Sequence, residues 1–173
     1  NIHDQHWDRD LLELFDIPPV LLPTVKPSCG LFGETLGVEG LPDGLPISGI
    51  AGDQQAALYG QGCWEAGSAK VTYGTGAFVV MNLGQEHPVL ENGLLTSICC
   101  DQLGRSAYAL EGAIFTAGAA VQWLRDGLRI ITDAADSELL AKQVPHTDGV
   151  YFVPAFTGLG VPYWDMNARG ALV

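Results

Sequence analysis

The sequence predicts an α/β fold in which one module ends and another begins near residue 62. Three observations carry this. A short apolar run, Ile47–Ala51, leads through Gly52-Asp53 into a helix-forming stretch. Four β-type runs at hairpin spacing follow between Ala69 and Glu111. Helical stretches then give way to another strand and a Gly/Pro-rich loop. Such alternation of helix and strand excludes an all-helical or all-β chain.

Taken in order, residues 8–16 place Leu11, Leu12, Leu14 and Phe15 at helical spacing, and Pro18-Pro19 stops the helix. Residues 20–46 are rich in Pro and Gly and read as a winding surface connection with short extended pieces. Ile47–Ala51 is a strand, and Asp53 is placed to cap a helix that runs through Ala56, Ala57 and Leu58 to Gly60-Gln61-Gly62. The β-type runs are Ala69–Tyr73, Ala77–Leu83, Leu94–Cys100 and Ser106–Glu111. A helix is expected from about Ala113 to Gly127, with an apolar face from Phe115, Ala119, Val121, Trp123 and Leu124. A second, amphipathic helix spans about Ala134 to Gln143, and Val150–Val153 is a buried strand opening into the loop Pro154–Trp164.

The composition is that of a core-forming protein: of 173 residues, 47% are hydrophobic and only 16% charged. A net charge of −12 argues against a nucleic acid or an anionic membrane as partner, since both need a basic face. Any phosphate site must then be made locally, from backbone amides and bound cations. No apolar run is long enough to cross a bilayer. Cys29, Cys63, Cys99 and Cys100 form no CxxC pair and read as packed, reduced thiols of a cytoplasmic protein. His3, His6, His87 and His146 are scattered and make no ligand set, so no metal site is expected from them. The chain opens on Asn1 and stops inside the apolar run Ala171–Val173, and it is expected to be a piece of something longer.

Two motifs point to chemistry. Asp53 stands at the carboxyl end of a strand, where α/β sheets present catalytic groups, and can accept a proton from an attacking hydroxyl. The plainer reading makes it a helix cap and nothing more, and the two are compatible. Gln54 adds an amide suited to the adjacent hydroxyls of a polyol. In Tyr73-Gly74-Thr75-Gly76, glycines allow backbone amides to reach phosphate oxygens, with the Thr75 hydroxyl as a further donor. The alternative is a two-residue hairpin turn with Gly for positive φ. Phe78 is placed either against the carbon face of an acceptor or in the core. Gly118 and Gln122 share one face of the predicted helix. Gly inside a helix costs about 1 kcal/mol against Ala, which calls for either close helix packing or room for a flat ligand edged by Gln122. No Walker P-loop, well-formed GxGxxG or GxSxG elbow is present.

Ile47–Leu58, Ala69–Gly76 and Pro154–Asp165, together with Asn1–Asp8 and Gln122–Asp126, closely resemble the glycerol kinases of the FGGY carbohydrate kinase family. The resemblance spans essentially the whole chain. Xylulokinases and gluconokinases share the Gly-Asp pair and the Gly-Thr-Gly turn more loosely. The resemblance implies an actin-like ATPase (ribonuclease H-like) fold with ATP and glycerol between two domains. Residues 1–62 then correspond to the C-terminal end of the N-terminal, glycerol-binding domain. Residues 63–173 correspond to the first part of the C-terminal, nucleotide-binding domain.

By the same resemblance Asp53 is the catalytic base, near the Mg²⁺ of MgATP, with no protein ligand to that metal assigned. Asp53, Gln54 and Phe78 contact glycerol, and Gly74, Thr75, Gly118 and Gln122 contact ATP. The product implied is sn-glycerol 3-phosphate, beside ADP, in glycerol degradation by a cytoplasmic homo-oligomer, dimer or tetramer. Other parts of the family's site are implied to lie before Asn1 and after Val173, so the chain alone is expected to be inactive. A kinase for another polyol or sugar, and a catalytically dead actin-like module, are the competing readings. Some bacterial members bind fructose 1,6-bisphosphate through a Gly and an Arg. Here that stretch is Leu41-Pro42-Asp43-Gly44-Leu45-Pro46, with no Arg, and weak or absent inhibition is expected.

Overall fold

The computed structural model describes residues 1–86 and 93–173; His87 lies outside the described residues. They form two compact units. The first holds Asn1–Ser68, 82–86 and Ser97–Ala109; the second holds Ala69–Met81, 93–96 and Leu110–Val173.

In the first unit, helix α1 (Arg9–Leu14) starts where the Asp8 carboxylate accepts the amides of Asp10 and Leu11 at 3.1 and 3.2 Å. These two otherwise unpaired donors of the first turn are what a cap supplies. Pro19–Leu21 forms a 3₁₀ turn after the proline stop. Strand β1 (Cys29–Glu34) pairs antiparallel with β2 (Pro46–Gly49), with a register shift between Cys29 and Gly33. One of the expected extended pieces of 20–46 is therefore a paired strand. Helix α2 (Asp53–Gly60) follows and buries Leu58 at 1% exposure.

Four further strands, β3 (Ala69–Tyr73), β4 (Ala77–Gly84), β5 (Leu95–Cys100) and β6 (Ser106–Ile114), make a sheet in the order β3-β4-β6-β5. The β3–β4 hairpin runs in register from Ala69↔Met81 to Tyr73↔Ala77. Asn82 on β4 is wholly buried and holds the connector after α2. Its Nδ2 donates to Cys63 O at 3.0 Å, and its Oδ1 accepts from Gly84 N at 2.7 Å. Its backbone oxygen accepts from Gly67 N, and its amide donates to Ser68 O. A buried side-chain amide must find partners for both ends, and this one finds one on the irregular connector and the other at the end of its own strand.

In the second unit, helix α3 (Gly118–Asp126) starts later than the sequence indicates, because residues 112–114 continue β6. Trp123 on α3 packs against Phe152 and Phe156, with ring centroids 5.3 and 5.4 Å away. That cluster seats the helix on β7 (Phe152–Val153) and the loop beyond it. Helix α4 (Asp136–Ala141) is shorter than expected, and β8 (Ala171–Leu172) pairs with β7. No helix among the described residues is long and apolar enough to cross a membrane.

Candidate active site

Asp53 enters through the strand-to-helix turn. Gly52 takes the extended cap conformation, φ −64° and ψ 156°, and Asp53 is the first helical residue. This corrects the expected cap by one position. A carboxylate in the first turn is still favoured by the helix dipole. Its Oδ1 accepts the Gln54 amide at 2.9 Å and its Oδ2 accepts Gln54 Nε2 at 3.3 Å. The exposed acid is thus tethered to the half-buried Gln54 beside it.

The hairpin turn is made of Gly74, Thr75 and Gly76, and all three carbonyls are taken. Gly74 O accepts Gly118 N at 2.9 Å, and Thr75 O accepts the amides of Ala117 and Ala119 at 2.8 and 3.1 Å. Gly76 O accepts Gly74 N at 2.8 Å. The amides of Thr75 and Gly76, and the Thr75 hydroxyl, make no hydrogen bond to another described residue. Three donors left over at the tip of one turn are what a phosphate group requires.

The glycines are needed here for packing, not for positive φ, which neither Gly74 nor Gly76 has. The two-residue turn of the plainer reading is therefore not what forms. A Cβ on Gly76 would stand 2.4 Å from Ile114 O, and one on Gly118 would stand 2.5 Å from Gly74 O. Gly118 is the first residue of α3 rather than an interior one, so the helix-propensity argument for it falls and the close-packing argument stands.

These pieces line a groove of about 490 Å³, formed by Gly74, Thr75, Gly118, Gln122, Arg125 and Ser137 with the small residues between them. All four residues assigned to ATP from the sequence therefore meet in one place. Its volume is in the range of small-molecule sites, about 300–1,000 Å³. Gly118, Gln122 and Arg125 follow one another at i, i+4 and i+7 along one wall, a rise of about 10 Å. That is room for an extended nucleotide, with free donors at one end and an amide and a guanidinium along the side.

Sequence reasoning missed Arg125 and Ser137, although the helical period already pointed one turn beyond Gln122. Arg125 is braced by Asp126, its Nε and Nη2 donating to the carboxylate at 2.7 and 2.9 Å. The guanidinium holds the Asp126 carboxyl below the usual range. Asp136, which does not itself line the groove, accepts the amides of Thr132 and Asp133 at 3.0 and 2.8 Å and so ties down the turn that carries the lining residues Ala134 and Ser137.

Phe78 is on β4, opposite Thr72, and is not among the residues lining this groove. Its ring is 44% exposed, so it does not fill the core. Asp53 and Gln54 belong to the first unit; Gly74, Thr75, Phe78, Gly118 and Gln122 belong to the second. Among the described residues no group of three or more His, Cys, Asp or Glu could hold a metal ion.

Comparison with known proteins bears on what these pieces are. The family model for the C-terminal domain of FGGY carbohydrate kinases matches residues 69–173, and that for the N-terminal domain matches residues 1–60. The chain belongs to the FGGY family of carbohydrate kinases. Its fold is the actin-like ATPase (ribonuclease H-like) fold of that family. Among curated FGGY members, it is 58% identical over 173 residues to the glycerol kinase of Alkalilimnicola ehrlichii and 54% identical over 172 residues to that of Bacillus cereus. It spans 35% of the length of each. Among solved structures, Plasmodium falciparum glycerol kinase with ADP matches all of the chain at a TM-score of 0.88 and 37% identity, over 35% of its own length. Xylulose kinase from Rhodospirillum rubrum matches 96% of the chain at a TM-score of 0.77 and 26% identity, over 34% of its own length.

Proposed function

We propose that this chain is part of an ATP-dependent glycerol kinase, which transfers the γ-phosphoryl group of MgATP to glycerol and yields sn-glycerol 3-phosphate and ADP. The observation that carries the reading is the groove in which Gly74, Thr75, Gly118 and Gln122 meet beside three unengaged donors. High identity to glycerol kinases favours glycerol over the sugars of sister kinases.

MgATP supplies the phosphoryl group and the charge neutralisation that its transfer needs. This chain supplies alignment. The Thr75 and Gly76 amides and the Thr75 hydroxyl hold phosphate oxygens, while Gln122 and Arg125 take the polar edges further along the groove. Asp53 orients the attacking hydroxyl of glycerol and receives its proton, with Gln54 fixing the carboxylate and binding a second hydroxyl. In a loose transition state such alignment counts for more than early deprotonation. Phe78 offers its exposed ring to the carbon face of glycerol.

The division at residues 62 and 63, into the end of a glycerol-binding domain and the start of a nucleotide-binding one, belongs to the same reading. It is supported by the family matches at 1–60 and 69–173. A cytoplasmic homo-oligomer acting in glycerol degradation completes the proposal.

The test is glycerol-dependent ADP release by the protein at its full native length, beside a panel of xylulose and gluconate. Turnover confined to glycerol supports the assignment. Turnover on a sugar moves it to a sister kinase, which the likeness to xylulose kinase from Rhodospirillum rubrum keeps in play. No turnover on any acceptor points to a catalytically dead actin-like module.

A further inference from the structure

Lys70 puts a cation in the least exposed part of the second unit. It is 2% exposed, on a sheet face where its register partner Val80 is wholly buried. Lysine is seldom buried so fully, because taking an ammonium out of water is costly. A β-branched apolar residue would suit this strand position without that cost. Anything that packs on the unit can only deepen the burial.

The ammonium is engaged along its own strand. Lys70 Nζ donates to Thr72 Oγ1 at 2.7 Å, two residues on and on the same face. Thr72 stands opposite Phe78 on β4, within the reach of cross-strand side-chain contact. The row Lys70, Thr72, Phe78 thus runs from full burial to an exposed ring, and it ends beside the turn Gly74–Gly76. None of the three lines the nucleotide groove.

We propose that Lys70 is a positioning residue for the acceptor: through Thr72 it fixes the ring of Phe78, against which the carbon face of glycerol rests. A charge-assisted hydrogen bond is the stronger kind, and it holds the Thr72 hydroxyl in one rotamer, leaving its methyl as a fixed neighbour for the ring. The inference rests on the kinase reading and adds to it a determinant of acceptor affinity separate from ATP affinity.

The experiment compares Lys70→Met, Lys70→Arg and Thr72→Val with the parent enzyme at full native length. Folding is checked by cooperative thermal unfolding. Lys70→Met and Thr72→Val should raise the KM for glycerol about tenfold and leave that for MgATP within about twofold. Lys70→Arg, which keeps a charged donor, should recover most of the loss. Folded Thr72→Val with both constants unchanged, or with both raised alike, overturns the inference. Should Lys70→Met fail to fold, Thr72→Val decides on the same outcomes. A parent enzyme without glycerol turnover overturns the kinase reading and this inference together. A parent that turns glycerol over while Thr72→Val behaves as wild type overturns this inference alone.

Discussion

Gly118 donates its amide to the carbonyl of Gly74 across 2.9 Å, and a methyl group on Gly118 would stand 2.5 Å from that same oxygen. The start of α3 and the hairpin turn are therefore in contact backbone to backbone. Gly118→Ala must push one away from the other, at about 1–3 kcal/mol for overpacking of this kind. MgATP binding, read by calorimetry, should weaken about tenfold or more while the melting temperature falls by a few degrees. Unchanged binding would remove the turn from the nucleotide site.

Among the described residues, Gln54 is the partner of both carboxylate oxygens of Asp53. Asp53→Asn retains the size of the side chain and its place in the helix but removes the negative charge. The expected loss in kcat is about 10²- to 10⁴-fold, the usual worth of a positioned acid or base. Thermal stability should change little. Steady-state kinetics at equal folded concentration check this, and turnover that survives the substitution would leave Asp53 a helix-terminus residue.

Asp136 gives a pH dependence of known sign. The amides of Asp133 and Thr132 hold its carboxyl below the ordinary value. Ionised Asp136 therefore favours the closed segment before α4 at all pH values above the ordinary carboxylate pKa of about 3.9. That contribution is lost as pH falls through the depressed value. Protection of the Thr132 and Asp133 amides from hydrogen exchange should drop in that acid window, and Asp136→Ala should abolish it already at neutral pH. Ser137 and Ala134, which line the groove, move with this segment, so Asp136→Ala should also raise the KM for MgATP.

Regulation by a bisphosphate is predicted to be weak. The stretch Leu41–Pro46 has no Arg, and the Asp43 carboxylate accepts the Gly37 amide at 2.7 Å, placing negative charge in the loop. Fructose 1,6-bisphosphate titrated into the full-length enzyme should leave its rate unchanged. Inhibition at micromolar concentration would contradict this.

Much of this architecture was legible in the sequence, unevenly. The β3–β4 hairpin and α2 were, because alternation and a short helical run leave little choice of period. The beginning of α3 was not. Ala113, Ile114 and Phe115 suit a strand end as well as a helix start, and only the carbonyls of Gly74 and Thr75, which receive the amides at residues 117–119, fix the boundary at Gly118. Strand β1 was hidden because its partner β2 lies more than ten residues away, behind a loop that local pattern cannot bridge. Gly74, Thr75, Gly118 and Gln122 were singled out from the turn and from the shared helix face, and resemblance added only ATP as their expected ligand. Arg125 and Ser137 were not singled out, since one is defined by helix phase and the other by how the segment before α4 folds back.

Asn82 bears on how members of this family can be recombined. The two family models meet across residues 61–68, and this is where a designer of chimeric kinases would cut. Yet the carbonyl of Cys63, the amide of Gly67 and the carbonyl of Ser68 are all bonded to one residue of β4. A crossover placed there and drawn from a parent without a side-chain amide at position 82 would leave the carbonyl of buried Cys63 without its partner. Viable breakpoints lie before α2 or after Gly84, so residues 53–84 should be inherited as a single block.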